Sequence, residues 1–416
     1  MSKLDELIAE LCPDGVPYKT LGELGYFYGG LSGKSKEDFT NGNAKFITYM
    51  NVFTNLAIDT DISDLVRIGE NEKQNTVQYG DILFTGSSET PDECGMSSVL
   101  TEVSDEKFYL NSFCFGFRLK DNNLLLPDFS KYLFRSQNIR KQIKRTANGV
   151  TRFNVSKKKM EQVVIPLPPL PVQQEIVRIL DNFTELTAEL TAELTAELTA
   201  RRKQYEYYRD ALLSLNEYET KPFGEIATIV RGASPRPIRN FITNDQNGVN
   251  WIKIGDVQPG SKYITSTKEK ITLAGASKSR YVYPGDFVLS NSMSYGRPYI
   301  MKIKGCIHDG WLSISGFEKY FKSDFLYHLL SSSAIQKLMA QRASNGTVQN
   351  LNADIVKAIE LPVPPLEEQE RIVAILDRFD ALCNDLTSGI PAEIEARQKQ
   401  YEYYRDKLLS FKEVTA

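Results

Sequence analysis

The chain has 416 residues, a length that predicts two or three domains of ordinary size. Hydrophobic residues make up 41% and charged residues 25%, a balance that excludes wholesale disorder. The formal net charge is -3, so any contact with a polyanion must use local basic surfaces. With 2 histidines in the chain, the composition argues against a histidine-ligated metal centre or a histidine-based catalytic triad.

Cysteine usage and hydropathy predict a cytoplasmic protein. The cysteines are scattered, form no CxxC pair and suggest reduced thiols: Cys12, Cys94, Cys114, Cys306 and Cys383. No apolar run reaches the length of about 18 residues that a membrane span needs. The first apolar stretch contains acidic residues, which is atypical of a signal peptide.

The sequence repeats itself with an offset of 196 residues. The paired segments are 203–210 with 399–406 (both KQYEYYRD), 165–170 with 361–366 (IPLPPL and LPVPPL), and 176–181 with 372–377. This period is too long for a solenoid, so it indicates a duplicated half-molecule. The remainder of each half has diverged, which predicts a variable globular domain followed by a repeated helical region.

The helical regions set the predicted domain limits. Residues 172–215 contain no Gly or Pro and predict one helix of roughly 66 Å, which begins after a proline-rich segment. The second copy, at about 366–411, is interrupted by Gly389 and Pro391, which predicts two shorter helices. We therefore predict four segments, 1–165, 166–215, 216–361 and 362–416. An antiparallel pairing of the helical regions would place one globular domain at each end of a rod.

The expected fold class is α+β, with two globular mixed α/β domains separated by two long antiparallel helical, coiled-coil regions in a pseudo-twofold duplication. Strands are predicted at 45–49, 81–84, 113–117, 251–254 and 286–289, from short apolar runs bounded by turn residues. Amphipathic helices are predicted near 128–144 and 323–341.

Apolar stripes on the helical regions require partners, because helices of this length are not stable alone in water. The candidate partner-binding residues are Ile176, Ile179, Leu180, Phe183, Tyr205, Tyr208, Ile372, Ile375, Leu376, Phe379, Tyr401 and Tyr404.

A four-residue unit, TAEL, occurs three times in succession at 187–198. Each unit adds about 6 Å of helix and about 40° of rotation, so its leucines drift around the helix and hold no single seam. Two interpretations stay open. The segment is either a solvated, passive helix or a ruler that sets the distance and angle between the two globular domains.

Catalytic motifs are weak. The segment 30–35 (GLSGKS) resembles a phosphate-binding loop but has Tyr28 where the first glycine is needed. Asp92 followed by 105–107 (DEK) fits a loose metal-nuclease spacing that charged loops often show by chance. The pair His308-Asp309 lacks a placed nucleophile, so a structural or recognition role is the stronger interpretation.

Polar and basic residues cluster around aromatic residues in both globular domains. In the first domain they are Lys34, Lys36, Tyr49, Asn51, Ser87, Ser88, Glu89, Arg140, Lys141, Lys144, Arg145 and Arg152. In the second they are Arg231, Ser234, Arg236, Arg239, Lys253, Asp256, Asn291, Ser292, Ser294, Tyr295, Arg297, Lys337, Arg342 and Gln349. Arg and Lys suit guanine edges or phosphates, Asn and Gln suit adenine, and carboxylates can accept from cytosine. Each residue taken singly fits an ordinary solvated surface group, so the case for double-stranded DNA depends on the two sets together.

The repeated helical motifs resemble a known family. A region that opens with PxPPL, Gln and IVxILD, closes with QYEYYRD and carries TAEL units looks like the specificity subunit of a type I restriction-modification system. The resemblance covers essentially the whole chain. The segments 255–257 (GDV) and 290–298 (SNSMSYGRP) also resemble target recognition domains of this family.

The resemblance implies a non-catalytic, DNA-binding subunit. Each target recognition domain would read one half of a bipartite, asymmetric DNA site, and the helices would set the gap. The helices would also dock two modification subunits, which use S-adenosylmethionine to methylate adenine. Motor-nuclease subunits, using ATP and Mg²⁺, would cut unmethylated DNA. No cofactor or metal is expected on this chain.

Two alternatives stay open from the residues themselves. One is a phosphodiesterase that acts through the acidic set of the first domain, Asp92 and 105–107. The other is an adaptor without DNA affinity, in which the duplicated domains bind other proteins.

Overall fold

The computed structural model describes residues 2–257, 261–291, 296–343, 351–384 and 389–414. The chain forms two compact units, Met1–Thr191 with Ala396–Ala416, and Ala192–Glu395. These units cut across the four segments predicted from the sequence. Each unit combines one globular region with parts of both helical regions, because the helices pack against the globular domains.

The described residues of the first unit form 13 strands and the beginning of the long helix. Its strands are β1 (Tyr18–Thr20), β2 (Gly25–Gly29), β3 (Ala44–Ile47), β4 (Leu65–Val66), β5 (Thr76–Val77), β6 (Ile82–Thr85), β7 (Ser87–Ser88), β8 (Ser97–Val99), β9 (Phe108–Leu110), β10 (Cys114–Leu119), β11 (Ala147–Asn148), β12 (Phe153–Val155) and β13 (Val164–Pro166). Its helices are α1 (Lys3–Leu11), α2 (Leu21–Leu24), α3 (Tyr49–Thr54), α4 (Pro127–Leu133), α5 (Gln137–Thr146), α6 (Lys157–Met160) and the start of α7 (Leu170–Leu212).

The second unit repeats this plan. Its strands are β14 (Thr220–Pro222), β15 (Thr228–Arg231), β16 (Ile242–Thr243), β17 (Val249–Ile252), β18 (Tyr263–Ile264), β19 (Glu269–Ile271), β20 (Arg280–Val282), β21 (Phe287–Ser290), β22 (Pro298–Met301), β23 (Gly305–Ile307), β24 (Trp311–Ser315) and β25 (Glu360–Pro362). Its helices are the end of α7, then α8 (Phe223–Ile226), α9 (Leu273–Ala276), α10 (Ser323–Leu330), α11 (Ser333–Arg342), α12 (Ala353–Lys357), α13 (Leu366–Asn384) and the start of α14 (Ile390–Leu408).

Sheet topology shows that the two globular domains are copies of one fold. The order β2-β10-β6-β8 in the first corresponds to β15-β24-β21-β22 in the second, with antiparallel neighbours throughout these runs. In a second sheet of each domain, β3 pairs parallel with β9 and β17 pairs parallel with β23. Each domain is closed by an antiparallel pair, β1 with β13 or β14 with β25. The fold class is therefore α+β, as predicted.

The predicted strands are confirmed as β3, β6, β10, β17 and β21, within a few residues at their ends. Tyr49, predicted as the end of a strand, instead begins helix α3, because the Thr48 side chain caps that helix through the Asn51 N–H. Each predicted amphipathic helix forms two helices, divided before Gln137 and before Ser333. Ser332 caps the second helix of its pair by accepting from the Ile335 N–H.

The long helix α7 is confirmed as one element, and the second helical region forms α13 and α14, as Gly389 and Pro391 predicted. From 181 to 204, a stretch that the structure describes without a gap, no residue of α7 is buried. Leu186 has 62% of its surface exposed. Leu186 precedes the TAEL units, whereas their own leucines, Leu190, Leu194 and Leu198, are half-buried, and Leu198 packs against the core of the second unit. The structure therefore does not show these leucines as fully solvated.

Buried amides at the start of each helical region lock the helix to its domain. Gln173 is fully buried, donates from Nε2 to the Leu124 carbonyl at 2.9 Å and to the Pro168 carbonyl at 2.7 Å, and accepts from the Leu126 N–H at 2.9 Å. Gln369 makes the same three hydrogen bonds in the second unit, to Tyr320, Pro364 and Lys322. The repeated glutamine is thus a structural residue of the junction.

Candidate nucleic-acid interface

In each domain three strand ends lie side by side at one edge of a sheet. They are the ends of β2 and β6 with the start of β10 in the first domain, and the ends of β15 and β21 with the start of β24 in the second. The Gly30 N–H donates to the Cys114 carbonyl at 3.2 Å, and the Gly232 N–H donates to the Trp311 carbonyl at 2.8 Å. The same local geometry therefore positions different side chains in the two domains.

In the first domain this edge borders a cleft of about 740 Å³. The lining residues are Tyr49, Met50, Phe53, Ser87, Ser88, Glu89, Glu93, Phe113, Thr151 and Arg152. Five of the candidates from the sequence, Tyr49, Ser87, Ser88, Glu89 and Arg152, are thus brought together although they span about 100 positions of the chain.

Hydrogen bonds and ring contacts hold the cleft in shape. The Tyr49 hydroxyl donates to the Ser87 carbonyl at 2.8 Å, and Arg152 Nη2 donates to Ser87 Oγ at 3.2 Å. The Arg152 guanidinium lies 5.5 Å from the centre of the Phe113 ring. Burial raises the pKa of Tyr49, so its hydroxyl stays protonated at neutral pH. The cleft therefore offers aromatic faces, a fixed guanidinium and carboxylate acceptors.

Other first-domain candidates form hydrogen bonds and ion pairs within the domain. Lys34 pairs with Glu72 at 2.6 Å and also donates to the Arg67 carbonyl, so its side chain is 8% exposed. Asn51 donates to the Asp59 carbonyl at 2.9 Å and accepts from Asn55 at 3.0 Å. These contacts make Lys34 and Asn51 structural residues of their loops.

The four cations of α5 differ in availability. Arg140 is buried and donates to the carbonyl oxygens of Asp92, Cys94 and Gly95. Lys144 pairs with Asp92 at 2.6 Å, and this lysine lowers the pKa of that carboxyl. Arg145, like Lys36 and Lys141, is exposed and can reach a ligand.

In the second domain the candidate residues surround Asp309. Ser234 Oγ donates to Asp309 Oδ1 at 2.7 Å, Arg231 Nε donates to its carbonyl at 3.2 Å, and Arg236 lies 3.5 Å from Oδ2. Asn291 is buried and donates from Nδ2 to the same carbonyl at 2.9 Å. Burial raises the pKa of Asp309, but the Ser234 hydrogen bond and the nearby positive charge of Arg231 act in the opposite direction, and the net shift is downward. The site is a polar network with two arginines at its surface.

The remaining second-domain candidates make other contacts. Lys253 pairs with Glu269 at 2.8 Å, and Asp256 accepts from the Lys253 N–H at 2.8 Å. Arg342 donates to the Ala358 carbonyl at 2.8 Å, whereas Arg297 is exposed. Ser292, Ser294, Tyr295 and Gln349 lie outside the described residues.

Sequence reasoning missed the apolar part of the first cleft. Phe53 stacks on Tyr49 with ring centres 5.9 Å apart, and Phe113 has 57% of its surface exposed beneath Arg152. An aromatic residue at the start of a predicted strand, directly after an Asn-Ser turn, was the available signal for Phe113. No sequence signal pointed to Glu93 or Thr151.

The catalytic alternatives find no geometric support in the described parts of the chain. Lys34 is locked by Glu72, Asp92 pairs with Lys144, and Glu106 pairs with Lys45 at 2.6 Å. Within those parts no three His, Cys, Asp or Glu residues gather as metal ligands, and the free cysteines are all buried.

His308 and Asp309 do not form a hydrolytic triad with Ser234. The Asp309 carboxylate lies between the serine and the histidine. Its Oδ1 is contacted by Ser234 Oγ and also by His308 Nε2, at 3.0 Å from the latter. The other ring nitrogen of His308 accepts from the Gly310 N–H at 2.9 Å. The imidazole therefore does not reach the hydroxyl as a general base would.

The structure divides the predicted partner-binding residues into two groups. Ile176, Leu180, Tyr205, Ile372 and Leu376 are buried in the cores of their own units. These five residues are core positions in the structure and present no surface to a separate subunit, which corrects their assignment. They bury the apolar faces of the helical regions against the globular domains.

The second group forms aromatic pairs near the surface. Phe183 stacks on Tyr404 with ring centres 5.9 Å apart, and Phe379 stacks on Tyr208 at 5.4 Å. Tyr403 and Tyr207 lie beside them with 63% and 70% of their surfaces exposed. Ile179, Ile375 and Tyr401 are half-buried. Each unit thus carries one copy of the same exposed aromatic cluster.

Fold and sequence together identify the family. The family described as type I restriction modification DNA specificity domain matches this chain twice, over residues 13–200 and 216–396. The chain belongs to this family of type I restriction-modification specificity proteins.

Curated relatives agree with this assignment. The chain is 38% identical over 271 residues to the EcoR124I/EcoR124II specificity subunit of Escherichia coli, covering 62% of this chain and 65% of the relative. It is 39% identical over 275 residues to a putative type I specificity subunit of Haemophilus influenzae, covering 63% and 68%. The chain thus spans about two thirds of the length of these relatives.

Two solved structures share the fold. A chain from a study of complex assembly and conformational transition of the type I R-M system matches with a TM-score of 0.66 and 19% identity, covering 95% of this chain and 98% of the other. The HsdS subunit from Thermoanaerobacter tengcongensis matches with a TM-score of 0.50 and 17% identity, covering 96% of each chain. No helix of the described residues is long and apolar enough to cross a membrane.

Proposed function

We propose that this chain is the DNA-reading subunit of a type I restriction-modification complex, and that each globular domain contacts one half of a bipartite, asymmetric site. The supporting observation is that one sheet edge carries different polar groups in the two copies of the fold. The first edge has the cleft of Tyr49, Ser87 and Arg152, and the second has Arg231 and Arg236 around Asp309. Unlike side chains on a shared scaffold would read unlike half-sites.

The helical regions would set the gap between the half-sites and dock the modification subunits. Two copies of the aromatic cluster, built on Phe183 with Tyr404 and on Phe379 with Tyr208, fit two identical partners. Exposed aromatic residues are enriched at protein interfaces, which supports these clusters as docking points.

In this role the chain performs no catalysis and holds no cofactor or metal. The modification subunits would bind S-adenosylmethionine and methylate adenine, and motor-nuclease subunits would use ATP and Mg²⁺ to cut unmethylated DNA. All these steps would take place in the cytoplasm, on double-stranded DNA. This chain would select the site and hold the modification subunits over it.

The proposal is tested by co-expressing the chain with an adenine-methyltransferase partner and mapping N6-methyladenine across the host genome. A split motif with a fixed gap, present only when both chains are made, is the expected result. Methylation at an uninterrupted motif, or methylation that does not depend on this chain, would refute the proposal.

A domain exchange provides the matched test of modularity. Replacing residues 215–361 by the corresponding segment of another family member should change one half-site and leave the other unchanged. A change in both half-sites would contradict independent reading by the two domains.

A further inference from the structure

A short β-hairpin stands at the edge of the first-domain cleft. It consists of β11 and β12, which pair through Ala147 with Val155 and Asn148 with Asn154. Strand β12 continues the pairing to β7, so the hairpin belongs to the three-stranded sheet β11-β12-β7. At the turn Gly149 has φ 140°, and a Cβ there would meet the Arg152 carbonyl. The turn is therefore tight and well defined.

The tip of this hairpin points away from the domain. Val150 has 91% of its surface exposed, and Thr151 and Arg152 are also exposed. Arg152 is held from below by the Phe113 ring and by Ser87 Oγ. A guanidinium fixed in this way retains free N–H donors and loses little side-chain entropy when it binds.

Cations lie on both sides of the hairpin. Helix α5 ends at its first strand and carries Lys141 and Arg145 one turn apart, and helix α6 begins directly after its second strand with Lys157 and Lys158. All four are exposed, and within the described parts of the chain none of them forms an ion pair with a carboxylate. The two helices pack against each other, which gathers these charges at the base of the hairpin.

Lys159 connects helix α6 to the hairpin. Its ammonium group donates to Asn148 Oδ1 at 3.0 Å, so α6 and β11 are fixed relative to each other. By contrast, Lys144 on α5 is already neutralised by Asp92 at 2.6 Å. On α5 and α6, Lys144 is thus neutralised, whereas Lys141, Arg145, Lys157 and Lys158 form no ion pair within the described parts of the chain.

We infer that the hairpin 147–155 is a β-ribbon that enters a groove of duplex DNA, with Arg152 on a base edge and Lys141, Arg145 and Lys158 on the phosphates. A two-stranded ribbon fits the major groove, and an arginine fork matches the O6 and N7 acceptors of guanine. Unpaired cations at its base match the phosphates that flank a groove. This inference rests on the proposed function, and it names the element and the base contact of the first half-site.

The phosphate contacts are tested by two pairs of lysine substitutions in the complete complex with its modification subunits. The first pair, K141Q/K158Q, removes two positive charges beside the hairpin and is called the flank pair. The control pair, K19Q/K107Q, removes two exposed lysines elsewhere on the same unit. Binding of a duplex that contains the methylated motif is measured as a function of salt. The flank pair should lower the slope of log affinity against log salt by about 2, and the control pair should leave it unchanged.

The base contact is tested by R152K, which keeps the charge but loses the planar fork. Affinity for the cognate duplex should fall about tenfold to a hundredfold, with relaxed preference at one position of the first half-site and none of the second. Salt dependence should stay close to that of the unchanged chain. Uniform weakening across sequences would show that Arg152 contacts only phosphate and would overturn the base assignment.

The outcomes separate this inference from the proposed function. If the unchanged complex binds a split motif but the flank pair and R152K behave like the control, the hairpin inference is wrong and the proposed function stands. If the flank pair instead prevents assembly with the modification subunits, the basic surface contacts protein and the inference is again wrong. If the unchanged complex binds no split motif, the proposed function itself fails.

Discussion

The carboxylate of Asp406 accepts a hydrogen bond from the backbone N–H of Gln137 at 2.9 Å, at the start of α5. Asp210 makes the equivalent contact with the N–H of Ser333 at 3.0 Å, at the start of α11. Both aspartates close the same eight-residue repeat, and each lies in the unit whose globular domain it caps. The end of the first helical region therefore stabilises the second domain, and the end of the chain stabilises the first.

Exchanging each aspartate for asparagine should destabilise one unit at a time. D406N removes a charge-assisted cap from α5 and should cost about 1 kcal/mol, since carboxylates at helix N-termini stabilise by that order. Hydrogen exchange followed by mass spectrometry should show faster exchange in 137–146 and no change in 333–342. D210N is the matched control with the reverse pattern. Equal effects of either variant on both helices would contradict the pairing.

Replacing the buried amide of Gln173 should weaken the first junction. Q173A leaves the Leu124 and Pro168 carbonyls and the Leu126 N–H without their partner, and each such loss costs about 1–3 kcal/mol. The midpoint of urea denaturation should fall clearly for Q173A. Gln174 is exposed, so Q174A is the adjacent control and should leave the midpoint unchanged. Similar midpoints for the two variants would show that water replaces the Gln173 contacts.

A methyl group at Gly232 should disrupt the second-domain interface. A Cβ at this position would fall on the His308 carbonyl oxygen, so G232A must displace the loop that carries Asp309. We expect a loss of about 1–3 kcal/mol in stability, typical of overpacking, together with weaker binding at the second half-site. For the stability measurement G255A is the control, because nothing lies within 4 Å of a Cβ added there. Unchanged binding by G232A would separate this loop from DNA recognition.

Glu175 should make stability fall in acid. Its hydrogen bonds to Arg178 and Lys3 lower its pKa from 4.5 to about 2. A carboxyl with a depressed pKa contributes stability above its unfolded value, and this contribution is lost as the pH falls from about 4.5 to about 2. E175Q should therefore flatten the dependence of urea denaturation on pH in that window, relative to the exposed-residue control E185Q. Parallel curves for the two variants would show that the Glu175 contacts do not persist in solution.

The TAEL units should act as a ruler if the proposed function is correct. Deleting 191–194 shortens α7 by about 6 Å, so both half-sites should persist with a gap shorter by about one base pair. Mapping N6-methyladenine in the presence of the deleted chain measures the gap directly. An unchanged gap would mean that the repeats are passive.

The sequence by itself determined the duplication, the fold class and the helical regions. The helical regions follow from local sequence. A proline-rich segment marks the start of α7, no Gly or Pro interrupts the helix after its first turn, and Gly389 and Pro391 separate α13 from α14. The exact repeat around Asp210 and Asp406 also predicted equivalent roles, although the crosswise contacts with Ser333 and Gln137 were not predicted.

Only the tertiary structure decided which polar residues remain available to a ligand. Lys34 and Arg152 are both basic residues in the sequence. In the structure Lys34 forms an ion pair with Glu72, whereas the Arg152 guanidinium lies over the Phe113 ring. The helical stripes gave a similar ambiguity, since Ile176 is buried in its own unit while Phe183 stays near the surface. Whether a side chain is buried or exposed depends on residues distant in the chain. Pairings such as β3 with β9 form only in the folded protein, so local periodicity carries no information about this burial.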